Sequence, residues 1–149
     1  MATDSRPKPS PRLEHIDSTT GSPDALWACW ADVSTWSDWA GWVVSASLDG
    51  PFEPGSSVTV VERYGRRTTF LVTAVDPGRS NELQSKVPGA VVHMRREILS
   101  TTPRTTFKHS VWLEGPLATV WRGPLRARAR DTLPQSMRRL AIRAGAVHR

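Results

Sequence analysis

The amino-acid sequence predicts an α+β domain in which a curved antiparallel sheet of about seven strands wraps around a long C-terminal helix. Two observations lead to this prediction. Turn signals built on Gly and Pro recur between residues 49 and 103 and separate runs of strand length. After Gly115 and Pro116 the spacing of apolar residues becomes helical. Parallel neighbours need long crossover connections that these short intervals cannot hold, so the sheet is expected to be antiparallel.

The chain of 149 residues is long enough to bury a core without a metal ion or a disulfide. Residues 1–11 contain three prolines and few apolar side chains, which predicts a flexible lead, and residues 12–149 are expected to form one domain. Neither a secretion signal nor a run of about 18 apolar residues is present, so we expect a cytoplasmic protein. The single cysteine, Cys29, is interpreted as a buried filler.

One strand and two short helices are expected before the meander. Residues 12–20 alternate loosely and predict the strand. A helix is predicted over residues 25–31, because a start signal precedes it. Ser22 can cap the free amides, Pro23 has the backbone angle of a first helical residue, and the negative charge of Asp24 suits the positive end of the helix dipole. A second cap at Asp32 or Ser34 and a stop at Gly41 predict another short helix.

Six strands are expected to follow, over residues 42–48, 56–64, 66–75, 79–86, 90–99 and 104–114. In the last strand, alternate positions form the set expected to face inward: Phe107, His109, Val111 and Leu113. In the preceding strand the opposite face carries more charge, so the inward set is predicted to be Val92, Met94, Arg96 and Ile98.

An apolar stripe that steps by three or four residues predicts the final helix. Its members are Leu117, Val120, Trp121, Leu125, Ala129, Leu133, Met137, Leu140, Ala141 and Ala144. Such a stripe needs a sheet to pack against. Pro124 and Pro134 each remove an amide donor, so a bend or break is expected at one or both.

The net charge of +6 comes from the C-terminal segment, residues 117–149, which contains eight arginines and one acid, Asp131. This segment carries a charge of +7, and the rest of the chain carries −1. Arg122, Arg126 and Arg130 repeat every four residues and predict a basic helix face, interpreted mainly as solvated. Weak contact with an anionic membrane surface stays open as an alternative. Specific nucleic-acid binding is not expected, because no recognition motif accompanies the charge.

Five short sequence segments, taken in their order along the chain, indicate a family: SPDALW at 22–27, DVSTWSDW at 32–39, DPGR at 76–79, LEGPLA at 113–118 and LPQSMRRL at 133–140. With the predicted element order, the chain from about residue 12 to 147 resembles the polyketide cyclase and dehydrase-like branch of the START-related SRPBCC superfamily. The resemblance implies the helix-grip fold, with a hydrophobic tunnel between sheet and final helix. Such tunnels hold lipids, polyketide intermediates or other apolar ligands.

Ligand-binding residues are predicted on the apolar faces that should meet around this tunnel. They are Trp36, Trp39, Trp42, Phe70, Met94, Phe107, Val111, Trp121, Met137 and Leu140. Five of the seven tryptophans lie between residues 27 and 42. Their flat surfaces suit a fused-ring ligand, although anchoring the short helices on the sheet is an equally open interpretation for several of them.

His109, Arg96 and Tyr64 are the candidate catalytic residues. His109 could transfer a proton at neutral pH, or could be a core histidine bonded to a side chain of a neighbouring strand. An inward Arg96 is costly unless a carboxylate, phenol or ligand oxygen meets it, and Glu62 is one candidate partner. No hydrolase, zinc or nucleotide motif is present, so neither a metal nor a cofactor is expected.

Three functions remain open. The favoured one is a carrier or sensor of an apolar small molecule, as a monomer or homodimer. The second is a cyclase or dehydrase that acts on an apolar carbonyl compound through His109 and Arg96. The third is a basic peripheral binder of membranes or nucleic acid.

Overall fold

A computed structural model describes residues 12–146, with the side chain of Tyr64 excepted. The first part of the chain forms β1 (Leu13–Thr19), α1 (Pro23–Ala31), a 3-10 turn (Val33–Thr35) and α2 (Trp36–Trp39). The meander consists of β2 (Val43–Asp49), β3 (Ser57–Glu62), β4 (Arg67–Asp76), β5 (Ser80–Val87), β6 (Ala90–Ser100) and β7 (Thr105–Glu114). A final helix, α3 (Ala118–Ala146), follows. The predicted flexible lead lies outside the described residues.

All seven strands form one antiparallel sheet in the order β1-β7-β6-β5-β4-β3-β2. Consecutive strands of the meander are therefore neighbours, and β1 returns to pair with β7. The short helices and α3 lie against the inner face, which is the helix-grip arrangement. The α+β prediction is confirmed.

The start of α1 is built as its sequence indicates. The Ser22 hydroxyl accepts a hydrogen bond from the amide of Ala25 at 3.0 Å, and Pro23 occupies the first turn. One carboxylate oxygen of Asp32 then accepts from the Ser34 amide at 3.1 Å and starts the 3-10 turn. These two caps satisfy amides that have no partner inside a helix.

The predicted inward faces of β6 and β7 are confirmed. Arg96 lies directly opposite His109 in the register, and Ile98 lies opposite Phe107. The β7 set is buried, and Cys29 of α1, 4% exposed, is buried too. Burial also raises the pKa of the Cys29 thiol against the opposing charge of Arg143, which supports its interpretation as a filler.

Helix α3 runs through both prolines, so the expected break does not occur. Most of the predicted apolar stripe packs as expected. Met137 and Leu140 are fully buried, Ala129 is buried, and Trp121, Leu125 and Leu133 are partly buried against the core clusters. In the first turns Ala118 faces the sheet, while Leu117 and Val120 are exposed. The residues around Pro124 are largely exposed, so water can bond to the carbonyl groups that a proline leaves unpaired. Within residues 12–146, no helix is both long and apolar enough to cross a membrane.

A tight junction around Gly21 fastens the C-terminal half of α3 to β1. The Thr19 hydroxyl donates to the carbonyl oxygen of Ala141 at 2.6 Å. The Thr105 hydroxyl donates to the carbonyl oxygen of Gly21 at 2.8 Å. A Cβ atom on Gly21 would lie 2.6 Å from the carbonyl carbon of Ala144, so only glycine allows this approach. We call this contact the Gly21 junction.

Candidate functional site

A cavity of about 590 Å³ separates the inner face of the sheet from α2 and α3. Strands β3 to β7 all contribute to its wall. Pockets that hold drug-sized ligands have volumes of about 300–1,000 Å³ and are lined mainly by apolar side chains. Sheet and helix therefore face each other here without filling the space between them.

Six of the ten predicted ligand-binding residues lie in the cavity wall: Trp36, Trp39, Trp42, Phe70, Met94 and Val111. The structure does not place the other four there. Phe107, Met137 and Leu140 are fully buried in the solid part of the core. Trp121 packs in a small separate cluster, and its indole N–H donates to the carbonyl oxygen of Pro88 at 2.8 Å.

Two of the four lie beyond opposite ends of the cavity along β6 and β7, since Trp121 packs with Ala90 and Leu113 whereas Phe107 pairs with Ile98. Phe107 lies near the far end of the inner face, where its ring packs edge-on against Trp30 of α1 at 6.2 Å. Alternation along a strand indicates which face a residue joins. It does not indicate where along that face the packed core ends and the cavity begins.

Arg96 is the buried cation of the site, with 2% of its surface exposed. Its guanidinium carbon lies 4.4 Å from the ring centroid of Trp36 and 5.6 Å from that of Trp39. Burial lowers the pKa of Arg96 to about 9, so the group stays protonated at neutral pH. Its Nε and Nη1 atoms have no hydrogen-bond partner among the described residues.

Glu62 is not the partner of Arg96, contrary to the suggestion from the sequence. Its carboxylate accepts hydrogen bonds from Thr68 and Arg128, and Arg66 lies 3.9 Å away. Burial acts to raise the pKa of Glu62, but these hydrogen bonds and positive charges outweigh it and the pKa is lowered. Arg128 comes from α3 and also lies 5.5 Å from the Trp42 ring, so this contact joins helix to sheet across the cavity wall.

His109 lies in the cavity wall beside Arg96 and is held by α1. The indole N–H of Trp30 donates to its Nε2 atom at 3.1 Å. Its partner therefore comes from a helix, whereas the core-histidine interpretation expected a side chain of a neighbouring strand. Burial, followed by the charges of Arg96 and His15, holds the pKa of His109 well below its usual value. A neutral imidazole that accepts at Nε2 carries its proton on Nδ1.

Asn81 is a buried polar residue next to Arg96, behind the cavity wall, that sequence reasoning missed. It lies opposite Arg96 in the register of β5 and β6 and is fully buried. Neither its side-chain oxygen nor its side-chain nitrogen has a partner among the described residues. The available signal was weak, since an asparagine at a strand position next to a turn is ordinary.

The third catalytic candidate, Tyr64, lies in the turn between β3 and β4, and its side chain is outside the described part of the structure. Within residues 12–146, no group of three or more His, Cys, Asp or Glu side chains could hold a metal ion. Arg96 and His109 thus form a polar pair in the cavity wall, and Asn81 continues this row on β5 behind the wall.

We expect the free energy of unfolding to fall as the pH drops below about 6.5, the ordinary value for histidine. The pKa of His109 is lower in the folded than in the unfolded chain, so its contribution is complete above that pH and is lost as the pH falls towards the folded-state pKa. One proton corresponds to a slope of about 1.4 kcal/mol per pH unit. Urea denaturation at a series of pH values measures it.

His109→Gln is the test variant, because the glutamine side-chain oxygen can still accept the Trp30 N–H. This substitution should remove most of the slope. The matched control is His93→Gln, since His93 stacks on Trp112 at 5.1 Å on the other face of the sheet. A slope that persists unchanged in His109→Gln would contradict the assignment.

No protein-family model and no curated protein sequence matches the chain. Its fold is similar to solved structures. A protein from Thermobifida fusca has a TM-score of 0.73 at 14% identity, covering 91% of this chain and 94% of that one. A protein from Thermus thermophilus has a TM-score of 0.71 at 12% identity, covering 93% of this chain and 100% of that one.

DynU16, a protein in the dynemicin biosynthetic locus, has a TM-score of 0.65 at 18% identity. The match covers 89% of this chain and 48% of that protein's chain. At these identities the likenesses show the fold alone. The chain therefore shares a sheet and C-terminal helix architecture with small conserved bacterial proteins.

Proposed function

We propose that this protein binds an apolar small molecule in the cavity between the sheet and α3, as a carrier or sensor. The observation that carries the proposal is the cavity of about 590 Å³ with four aromatic residues in its wall, Trp36, Trp39, Trp42 and Phe70. Aromatic side chains offer large flat surfaces at little cost in conformational entropy, and they stack well on rings or alkyl chains.

The proposal includes membership of the polyketide cyclase and dehydrase-like branch of the SRPBCC superfamily. The helix-grip fold supports it, as does the structural likeness to a protein of a biosynthetic locus. Loose packing at only one end of the inner face also fits a binding protein. The other end, around Trp30, Phe107 and Leu140, is fully buried and holds the fold together.

An enzyme of the cyclase or dehydrase type is the second candidate, and one observation favours it. A neutral His109 stands beside a protonated Arg96 in the same cavity wall. With Nε2 bound to Trp30, the Nδ1–H of His109 can donate a hydrogen bond to a carbonyl oxygen, and the guanidinium can polarise the same oxygen. Turnover of a carbonyl substrate that is lost in His109→Gln, with binding retained, would establish this candidate over the carrier.

The binding proposal predicts that the uncharged fluorescent probe N-phenyl-1-naphthylamine binds inside the cavity. Ala129→Phe should reduce its affinity at least about tenfold, because Ala129 lies in the wall and a ring there would occupy the cavity. Fluorescence titration measures the affinity. Native mass spectrometry of protein purified from its own host should also show a co-purifying small molecule.

Ala127→Phe is the matched control, because Ala127 is an exposed residue of the same helix outside the wall. This variant should bind the probe like the wild type. Equal affinities of Ala129→Phe and the wild type would mean that the probe binds elsewhere. A wild-type protein that binds no probe and carries no molecule from its host would contradict the proposal.

A further inference from the structure

Basic side chains dominate the charged part of the cavity wall. The five cationic residues are Arg66, Arg67, Lys86, Arg96 and Arg128. Glu62 is the one acidic residue of the wall among those described, and its carboxylate is already bound by Thr68 and Arg128. A low-dielectric cleft lined by charges of one sign concentrates ligands of the opposite sign. The electrostatics of the cavity thus favour an anion over a neutral molecule or a cation.

Among these cations Arg96 has a special environment. Arg66, Arg67 and Arg128 are exposed or half-exposed, whereas Arg96 is 2% exposed. Its guanidinium carbon lies over the Trp36 ring, 4.4 Å from the ring centroid. The N–H groups lie in the guanidinium plane, and two of the three nitrogens, Nε and Nη1, have no partner within residues 12–146. A buried cation whose donors are unpaired destabilises a folded protein unless an anion binds there.

Asn81 adds a second unpaired group at the same place. It lies opposite Arg96 across β5 and β6 and is fully buried. Side chains opposite each other in an antiparallel pair have Cβ atoms about 4.5–5.5 Å apart. Its side chain is therefore next to that of Arg96, behind the cavity wall, and offers the guanidinium no hydrogen bond. Two neighbouring buried side chains without partners are unusual in a native structure, where such groups are almost always satisfied.

We propose that the ligand carries a carboxylate at one end of its apolar body and that Arg96 binds this carboxylate. This inference rests on the proposed function of the cavity. The planar guanidinium matches the two oxygens of a carboxylate better than it matches a single hydroxyl. The chemical class is an amphiphilic acid, such as a fatty acid or a polycyclic aromatic acid.

The strand register separates this inner site from the basic rim. Lys86 pairs with Val91, and Arg96 follows five residues later on β6. At the usual rise per residue the two positions are roughly 16 Å apart. Lys86 and Arg67 occupy outward positions of their strands, opposite Val91 and Val61, so their exposed charges at the cavity rim attract the acid from solution without binding it. Arg96 binds the acid group, and Trp36, Trp39 and Phe70 contact the apolar body.

Displacement of N-phenyl-1-naphthylamine at pH 7.5 tests the inference with acid and alcohol pairs of the same skeleton. The pairs are dodecanoic acid with dodecan-1-ol, and 2-naphthylacetic acid with 2-(2-naphthyl)ethanol. For at least one pair, the wild type should bind the acid at least about tenfold more tightly than the alcohol. In Arg96→Met this preference should disappear, while the affinities for the probe and the alcohol stay within about twofold.

Arg95→Met is the matched control, because it removes a cation of the same strand that lies outside the cavity wall and bonds to Glu97. Its preference for the acid should stay within about threefold of the wild type. Arg67→Met tests the rim, because it removes a rim cation and leaves Arg96 in place. Loss of the preference in Arg67→Met together with its retention in Arg96→Met would place the carboxylate at the rim and overturn the inference. Equal affinity of the wild type for acid and alcohol in both pairs would overturn it too, while leaving the apolar cavity intact. The proposed function as well would be overturned only if the wild type bound no probe and carried no molecule from its host.

Discussion

Replacing Gly21 with alanine is expected to lower the free energy of unfolding by about 3 kcal/mol. The new Cβ would lie 2.6 Å from the carbonyl carbon of Ala144 and 3.0 Å from the amide nitrogen of Gly145. These are backbone atoms of α3, so no side-chain rotation can relieve the contact. The helix would have to move away from Thr19, whose hydroxyl donates to Ala141. Urea denaturation measures the loss, and the melting temperature should fall by roughly 6–12 °C.

Gly123→Ala is the control in the same helix. No atom lies within 4 Å of a Cβ at this position, and its φ is not in the left-handed region. Alanine is the better helix former, so this variant should gain about 0.5–1 kcal/mol. A change of less than about 0.5 kcal/mol in Gly21→Ala would show that the Gly21 junction does not hold the helix.

Replacing Arg96 with methionine is expected to raise the free energy of unfolding of the ligand-free protein by about 1–4 kcal/mol. The substitution removes a buried cation whose Nε and Nη1 atoms lack partners among the described residues, and it keeps an unbranched side chain in the core. Lost stacking on Trp36, worth about 2 kcal/mol for a desolvated cation, limits the gain. Urea denaturation of protein stripped of bound lipid provides the measurement.

Arg95→Met is the control on the same strand. Arg95 points to the other face, where it bonds to Glu97 at 2.7 Å and lies 3.6 Å from Glu82. Its removal should cost about 0.2–1 kcal/mol, as expected for a partly exposed ion pair. If Arg96→Met were less stable than the wild type, Arg96 would have a structural role. The claim that its unpaired charge destabilises the ligand-free protein would then be wrong.

Most of the fold follows from two local signals. Turn signals built on glycine and proline predicted every strand of the meander. The alternation of side chains along each strand predicted that Arg96 and His109 lie on the inner face. Strand β3 is shorter than predicted because residues 63–65 form a 3-10 turn, which alternation continuing to residue 64 conceals. Of the predicted bend or break in α3, the break does not occur, because both prolines lie where the helix is exposed or half-buried and water can reach the carbonyl groups that lose a partner.

The partners within the site could not be predicted. Trp30 and His109 are 79 residues apart, and Glu62 and Arg128 are 66 residues apart. A sequence pattern assigns a residue to a face, but which helix side chain reaches it depends on how α1 and α3 pack on the sheet. The unpaired state of Asn81 is also a property of the packed structure, because an exposed asparagine with the same neighbours would bond to water.

Helix α3 is tied to the rest of the domain at both ends and at its centre. The Gly21 junction holds its last turns, and the contact of Arg128 with Glu62 holds its centre. At its start, the Leu117 amide donates to the carbonyl oxygen of Gly89 at 2.9 Å, and the Trp121 indole donates to that of Pro88 at 2.8 Å. Along its 29 residues, roughly 43 Å, the helix is therefore supported at three points, and losing any one of them leaves it attached at the other two.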